Sequence, residues 1–202
     1  MTYRRAVILG LAAASLVAPA RAKGRFNPLF NGKDLDGWTA IGDANWAVRE
    51  GAISADRGGF GYLVSKDSFR DFDLRAEFWV SHDANSGIFI RCSDRERISA
   101  TNAYEVNIFD TRPDPSYGTG AIVYVAKVSP MPEAGGRWNV MGIRARGDAF
   151  SVVLNGQKTV DSARDSAHGD GPIALQYGAG LVKFRSVAIR ASERLHRARE
   201  AR

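Results

Sequence analysis

Phe72-Asp73-Leu74-Arg75-Ala76-Glu77-Phe78-Trp79-Val80 alternates apolar and polar side chains with hardly a break. Successive side chains of a β-strand point to opposite faces. Phe72, Leu74, Ala76, Phe78 and Val80 therefore belong to a core, while Asp73, Arg75, Glu77 and Trp79 face outward. The period of two continues on both sides of this stretch, in short runs punctuated by Gly, Asp, Asn, Pro and Ser. Strands are predicted at residues 61–64, 86–91, 103–109, 121–125, 138–145, 150–154, 172–176 and 182–189. Asn155-Gly156 between two such runs is a two-residue hairpin signal. Almost no stretch has helical periodicity. Many short strands at this spacing predict an all-β sandwich of antiparallel sheets, and residues 111–120, with two prolines and two glycines, read as a flexible loop.

The ends stand outside this pattern. Residues 1–22 read as a secretory signal peptide: Arg4 and Arg5 open it, an apolar run spans Val7 to Val17, and Ala20-Arg21-Ala22 is the small-residue cleavage pattern. Cleavage after Ala22 predicts a periplasmic or secreted product, exported by the general route or, given the paired arginines, by the twin-arginine route. No later segment is apolar for long enough to cross a bilayer as a helix. Residues 23–190 are predicted to form one domain, and residues 191–202 a basic tail. The formal net charge of +6 sits mostly in these two ends, so the body is nearly neutral. That argues against nucleic acid as a partner, which requires a basic stripe on the folded domain. The lone Cys92 has no partner within the chain, so stability must come from core packing.

The strand phases suggest where chemistry could sit. Ile88 and Ile90 point inward and leave Phe89 and Arg91 outside; Val106 and Ile108 leave Glu105 and Asn107 outside; Ile173 and Leu175 leave Gln176 outside. If these strands are neighbours, Glu77, Trp79, Arg91, Glu105, Asn107 and Gln176 share one surface. An aromatic face, amides, a guanidinium and carboxylates suit a sugar and acid–base work on it. An antiparallel sheet also shows polar residues to water on one face, which yields the same alternation. The three histidines, His82, His168 and His196, lack the spacing of a zinc site. Neither a G-x-S-x-G elbow nor a phosphate-binding glycine loop is present.

On these residues the sequence resembles the 3-keto-disaccharide hydrolase domain family. The matching stretches are Leu29 to Trp38, Asp71 to Phe78, Asn85 to Arg91, Tyr104 to Asp110, Thr119 to Ile122, Arg137 to Asn139, Leu154 to Gly156, and Gly171 through Ile189. The resemblance implies a concanavalin A-like jelly roll acting on glycosides whose C3 hydroxyl is oxidised to a ketone. The ketone acidifies the C2 hydrogen; a base removes it, the enolate expels the group at C1, and hydration completes net hydrolysis. Such chemistry needs a base, an electrophile for the enolate oxygen and an acid for the leaving group. The resemblance implies Glu105 as base or acid, Arg91 as enolate stabiliser, and Asn107 and Gln176 as hydroxyl binders, with Glu77 and Trp79 as further substrate contacts. A divalent cation held by Glu105 and Asp110 would replace or assist Arg91. Many relatives carry a histidine directly after the Leu-Gln pair, where this chain has Tyr177; a tyrosine there donates a proton but is a poor base at neutral pH.

Two other readings use the same residues. Glu105-Val106-Asn107-Ile108-Phe109-Asp110 copies the spacing of the E-x-D-x-x-E signature of retaining β-glucanases, with Asn for the middle acid and Asp for the last. That reading needs a bulge to bring Asp110 to the face of Glu105. A non-catalytic carbohydrate-binding sandwich is the other, since fold and groove alone do not make an enzyme.

Overall fold

In the computed structural model, residues 24–191 are described; the expected signal sequence and all but the first residue of the basic tail lie outside them. The strands are β1 (Asn27–Pro28), β2 (Trp38–Gly42), β3 (Ala47–Arg49), β4 (Ala52–Ala55), β5 (Gly61–Phe69), β6 (Phe72–Val80) and β7 (Asn85–Ile90). They continue with β8 (Tyr104–Ile108), β9 (Trp138–Arg146), β10 (Ala149–Leu154), β11 (Gln157–Arg164), β12 (Gly171–Ala179) and β13 (Val182–Ala191). Two antiparallel sheets result. The larger runs β11-β10-β9-β6-β13-β4-β3, with β1 also on β13, and the smaller runs β2-β5-β12-β7-β8.

The alternation of β6 is realised as read: Phe72, Leu74, Ala76, Phe78 and Val80 are buried in the core between the sheets. Across from them Leu63 of β5, Ile88 and Ile90 of β7, Val106 and Ile108 of β8, and Ile173 and Leu175 of β12 supply the other half. Each such side chain, fully buried, is worth roughly 1.5–3 kcal/mol of transfer free energy. Asn155 and Gly156 both have positive φ, 50° and 85°, and close the β10–β11 hairpin with Leu154 opposite Gln157. That is the geometry for which Asn-Gly is chosen.

Residues 121–125 do not form a strand. Gly120 N–H donates to Asn107 O, and Val123 N–H to Glu105 O, so the segment runs beside β8. It then reverses in a tight turn in which Ala126 N–H reaches Ile122 O and Tyr124 takes φ 63°. The exposed edge of β8 is thereby covered, one of the ways sheet edges are protected. Residues 111–120 carry one short 3-10 turn, Pro115–Tyr117, where the Asp114 carboxylate accepts from the Ser116 N–H and hydroxyl. The segment after β7 folds back on itself through Ser93 N–H to Asn102 O. Ile98 and Ala103 from it form a second small apolar cluster with Val64, Phe89, Ala174 and the buried Cys92, on the outer side of the small sheet.

Candidate active site

The outer face of the small sheet is built from two transverse rows. Register places Tyr62, Gln176, Gly87 and Asn107 side by side, and next to them Val64, Ala174, Phe89 and Glu105. The apolar row lies under the small cluster that contains Ile98. An acid and an amide converge over Gly87 in the polar row: a Cβ there would stand 3.3 Å from Gln176 Oε1 and 3.4 Å from Glu105 Oε1 and Cγ, closer than ordinary contact. Glycine here lets both side chains close in over the backbone.

Electrostatics at this convergence are unusual. Glu105 is 7% exposed, and burial pushes its carboxyl up to about 7, with the charge of Arg112 opposing the shift. Gln176 Oε1 and Asn107 Oδ1 are buried without a hydrogen-bond partner, although such atoms are nearly always paired in folded proteins. Asn107 Nδ2 donates 2.7 Å to Tyr117 O, which ties the amide under the 115–126 loop. Burial raises the Tyr62 phenol, with the Gln176 amide beside it lowering that shift and the nearby Glu105 charge adding to it. Tyr62 also meets the Phe89 ring edge-on at 5.3 Å. The arrangement offers acceptors without donors, an acid able to hold or release a proton near neutrality, and a phenol that stays protonated: a set matched to a ligand rich in hydroxyls.

Of the residues singled out in the sequence, Glu105, Asn107 and Gln176 are brought together here. Glu77 and Trp79 are not: β6 lies in the large sheet, so they face outward on the opposite side of the sandwich. Glu77 pairs there with Arg185 at 2.9 Å and Arg75 at 3.3 Å. Arg91 is also elsewhere. The strand ends at Ile90, and Arg91 takes φ 54°, turning its side chain away from the phase that alternation assigns. Its guanidinium, 1% exposed, donates to Arg70 O (2.9 Å), Gly147 O (2.7 Å), His168 O (3.3 Å) and Asp71 Oδ1 (3.2 Å). It lies 5.0 Å from the Phe150 ring centre, clamping the end of the sandwich.

Asp110 belongs to the turn after β8. Its oxygens accept from Thr119 Oγ1 (2.5 Å), Ala134 N–H (2.9 Å) and Gly135 N–H (2.8 Å). Both oxygens are committed to the loop, so the pair Glu105 and Asp110 fits neither a shared cation nor two carboxylates flanking one bond. Among the described residues no group of three or more His, Cys, Asp and Glu side chains is assembled for a metal. Tyr177 points into the core, where its ring meets Trp46 edge-on at 6.4 Å; the residue directly after Gln176 cannot share its face. Gly178 does return to that side, and a Cβ there would meet Asn85 Nδ2 at 2.9 Å and the Phe60 ring at 3.0 Å.

Tyr62, Gly87 and Arg112 are the members that reading by residue type passes over. Tyr62 carries a signal, the phase of residues 61–64, while a glycine and a loop arginine carry none until register is known.

Gly87→Ala tests this convergence. Its φ is not in the left-handed region, so alanine is tolerated by the backbone and gains up to about 1 kcal/mol by restricting the unfolded chain. The methyl would press on Glu105 and Gln176, which must each give by a few tenths of an ångström. Turnover should fall about tenfold or more with the melting temperature within a few degrees of wild type; unchanged turnover would mean that the substrate does not enter there.

Comparison with known proteins matches the chain to a family. The family model described as a 3-keto-alpha-glucoside-1,2-lyase-like domain matches residues 25–190. A 3-keto-disaccharide hydrolase of Bacteroides thetaiotaomicron is 33% identical over 87 residues, 37% of this chain; the match spans 30% of that protein's length. A candidate glycosyl hydrolase from Parabacteroides distasonis superposes with a TM-score of 0.69 at 24% identity, covering 83% of this chain and all of that one. The carbohydrate-binding module CBM66 of Bacillus subtilis superposes with a TM-score of 0.61 at 20% identity, over 77% of this chain and 96% of the module. These two likenesses establish the fold.

Proposed function

Because the chain belongs to the family of 3-keto-alpha-glucoside-1,2-lyase-like domains, we propose that it cleaves 3-keto-glycosides by elimination and hydration, with Glu105 as the base. The observation that carries this reading is the buried carboxyl of Glu105, lifted to about 7 where it converges with Gln176 over Gly87. A base operating near neutral pH needs a pKa of that order. Glu105 takes the proton from C2, the electron pair forms the C1–C2 double bond through the enolate, and the C1–O bond breaks. Water then adds its hydroxyl to C1 and a proton to C2, giving net hydrolysis. Arg112, whose charge already acts on Glu105, takes the enolate role that the sequence alone assigns to Arg91. Tyr62, held protonated by burial, donates to the departing oxygen. Gln176 and Asn107 accept hydroxyl hydrogens with oxygens that otherwise lack partners. Residues 1–22 add the expectation that this work is done outside the cytoplasm.

The test is turnover of a 3-keto-glucoside in heavy water. Elimination followed by hydration leaves deuterium at C2 of the product at the rate of turnover, above the exchange of the free 3-keto sugar in the same buffer. Direct displacement by a retaining glycosidase leaves none and also cleaves the unoxidised glucoside. Cleavage of the unoxidised sugar without label at C2 would overturn the proposal, as would binding without turnover of either sugar.

A further inference from the structure

The second outer face of the sandwich, on the large sheet, carries a charge surplus that the reaction does not use. Outward positions of β6, β9 and β13 carry six cations: Arg75, Arg144, Arg146, Arg185 and Arg190 gather around the two carboxylates Asp73 and Glu77, and Lys183 pairs with Glu50 at 3.7 Å. Asp73 receives Arg144 Nε, Arg146 Nη2 and Arg190 Nη2, each at 2.8 Å. Glu77 is shared between Arg75 and Arg185. Each carboxylate therefore organises more than one guanidinium, and the face keeps net positive charge after every pair is made. Surface pairs contribute about 1 kcal/mol or less apiece, so the stability of the sheet does not account for so many arginines. The excess is notable because the chain between its two basic ends is nearly neutral.

The same face carries two indoles. Trp79 and Trp138 are opposite each other in register, with Lys183 Nζ 6.0 Å from the centre of the first ring and the Arg185 guanidinium 4.3 Å from the second. Between the indoles and the Asp73 cluster the surface drops to Gly142 and Ala188, which flank Arg75 in register. The result is a shallow trough with ring platforms at one end and fixed guanidiniums along it.

We propose that this face docks an acidic glycan, a chain of sugar rings bearing carboxylates or sulfates. Guanidiniums bind such anions in a forked geometry, and indole faces accept sugar rings. Asp73 and Glu77 are taken up by the guanidiniums they hold in place, so they fix the donors of the trough for an incoming anion. Duplex DNA keeps its ring faces stacked inside the helix and has none to offer the indoles, whereas a glycan presents its rings along its length. A lipid surface is disfavoured because Trp138, 39% exposed, is the only large exposed apolar side chain among the described residues of the face. The site lies on the opposite side of the sandwich from Glu105, so a chain held here is a tether and not the bond being cut.

Affinity electrophoresis and titration calorimetry with polygalacturonate, dextran sulfate, uncharged dextran, duplex DNA and phosphatidylglycerol vesicles decide the matter. The wild-type protein should bind the two acidic glycans and not uncharged dextran, several-fold more weakly as salt rises from about 50 to about 200 mM. The triple variant Arg75→Gln/Arg144→Gln/Arg185→Gln should lose about tenfold or more in affinity, with turnover at the other face unchanged. Gly142→Glu is a second variant that breaks no ion pair. A Cβ there has only Val153 within 4 Å, at 3.9 Å, so the fold is kept while a carboxylate enters the trough; it too should abolish binding. The proposal is overturned if the acidic glycans bind no better than dextran, if both variants bind like wild type, or if DNA or vesicles bind more tightly than the glycans.

Discussion

Glu105→Gln is expected to lower turnover of a 3-keto-glucoside by about 10²-fold or more, the usual contribution of a general base, and to make the protein more stable at alkaline pH. The two effects share one cause. Burial lifts the carboxyl from 4.5 to about 7, so the folded state holds a proton that the unfolded state has released at any pH between those values. Stability must fall as pH rises through that window, since the native state then binds more protons than the unfolded one. The loss is absent below about pH 4.5, complete above about pH 7, and amounts to about 3 kcal/mol on a shift of this size. Glutamine removes it. Urea denaturation at pH 4 and pH 8 should give a variant that is nearly equal to wild type at the lower pH and more stable at the higher. The turnover of the wild-type enzyme should rise with pH through about 7 as the base deprotonates. Full turnover in the Glu105→Gln variant would remove Glu105 from the reaction, and no gain in its stability at pH 8 would show that the wild-type carboxylate is not desolvated.

Arg91→Ala should destabilise the fold by about 3–5 kcal/mol, the range for removing one partner from a buried charged network. Against a total of about 5–15 kcal/mol for a domain of ordinary stability, that is a large share. Truncation strands the carbonyl oxygens of Arg70, Gly147 and His168 and empties the space over Phe150. Arg91→Lys keeps the charge but not the fork that reaches several acceptors at once, so it should recover only part of the loss. The turnover of whatever fraction remains folded should be unchanged, which separates this role from the electrophile suggested by strand phase. Normal stability together with a reduced catalytic rate would reverse the assignment.

The contrast between these two residues explains what can be read from sequence. Alternation states which side of its strand a residue occupies. It therefore places Glu105, Asn107 and Gln176 on an outer face, and burial of Val106, Ile108, Ile173 and Leu175 between the sheets agrees. It says nothing of which sheet the strand joins. Glu77 and Trp79 group with the others in sequence because β6 alternates as clearly as β7 or β8, and only the pairing of β6 with β9 and β13 separates them. Arg91 departs for a different reason: one left-handed residue at the strand end cancels the phase. β1 and β3, two and three residues long, show no period; β4, Ala52-Ile53-Ser54-Ala55, is buried on both sides and so does not alternate, and β2 is exposed or half-exposed after Trp38. β11 is read only through the Asn155-Gly156 turn before it, because an edge strand reading Gln157-Lys158-Thr159-Val160-Asp161 has almost no apolar side to show. The family resemblance, resting on motifs spread over the whole chain, carries the jelly-roll architecture across these gaps.

Cys92 is buried beneath the segment that folds back over the small sheet, and burial drives its thiol up to about 12. The folded protein therefore holds this thiol protonated at neutral pH, and the thiolate is the reacting form. Labelling by an alkylating or disulfide reagent should follow local opening around the sulfur, so its rate counts openings as amide exchange does. The chain carries its own single-atom stopwatch for the wall beside the face of Glu105: if a bound ketosugar slows the labelling of Cys92, occupancy of that face and opening of the wall are coupled, and the sulfur reads it without any probe being engineered in.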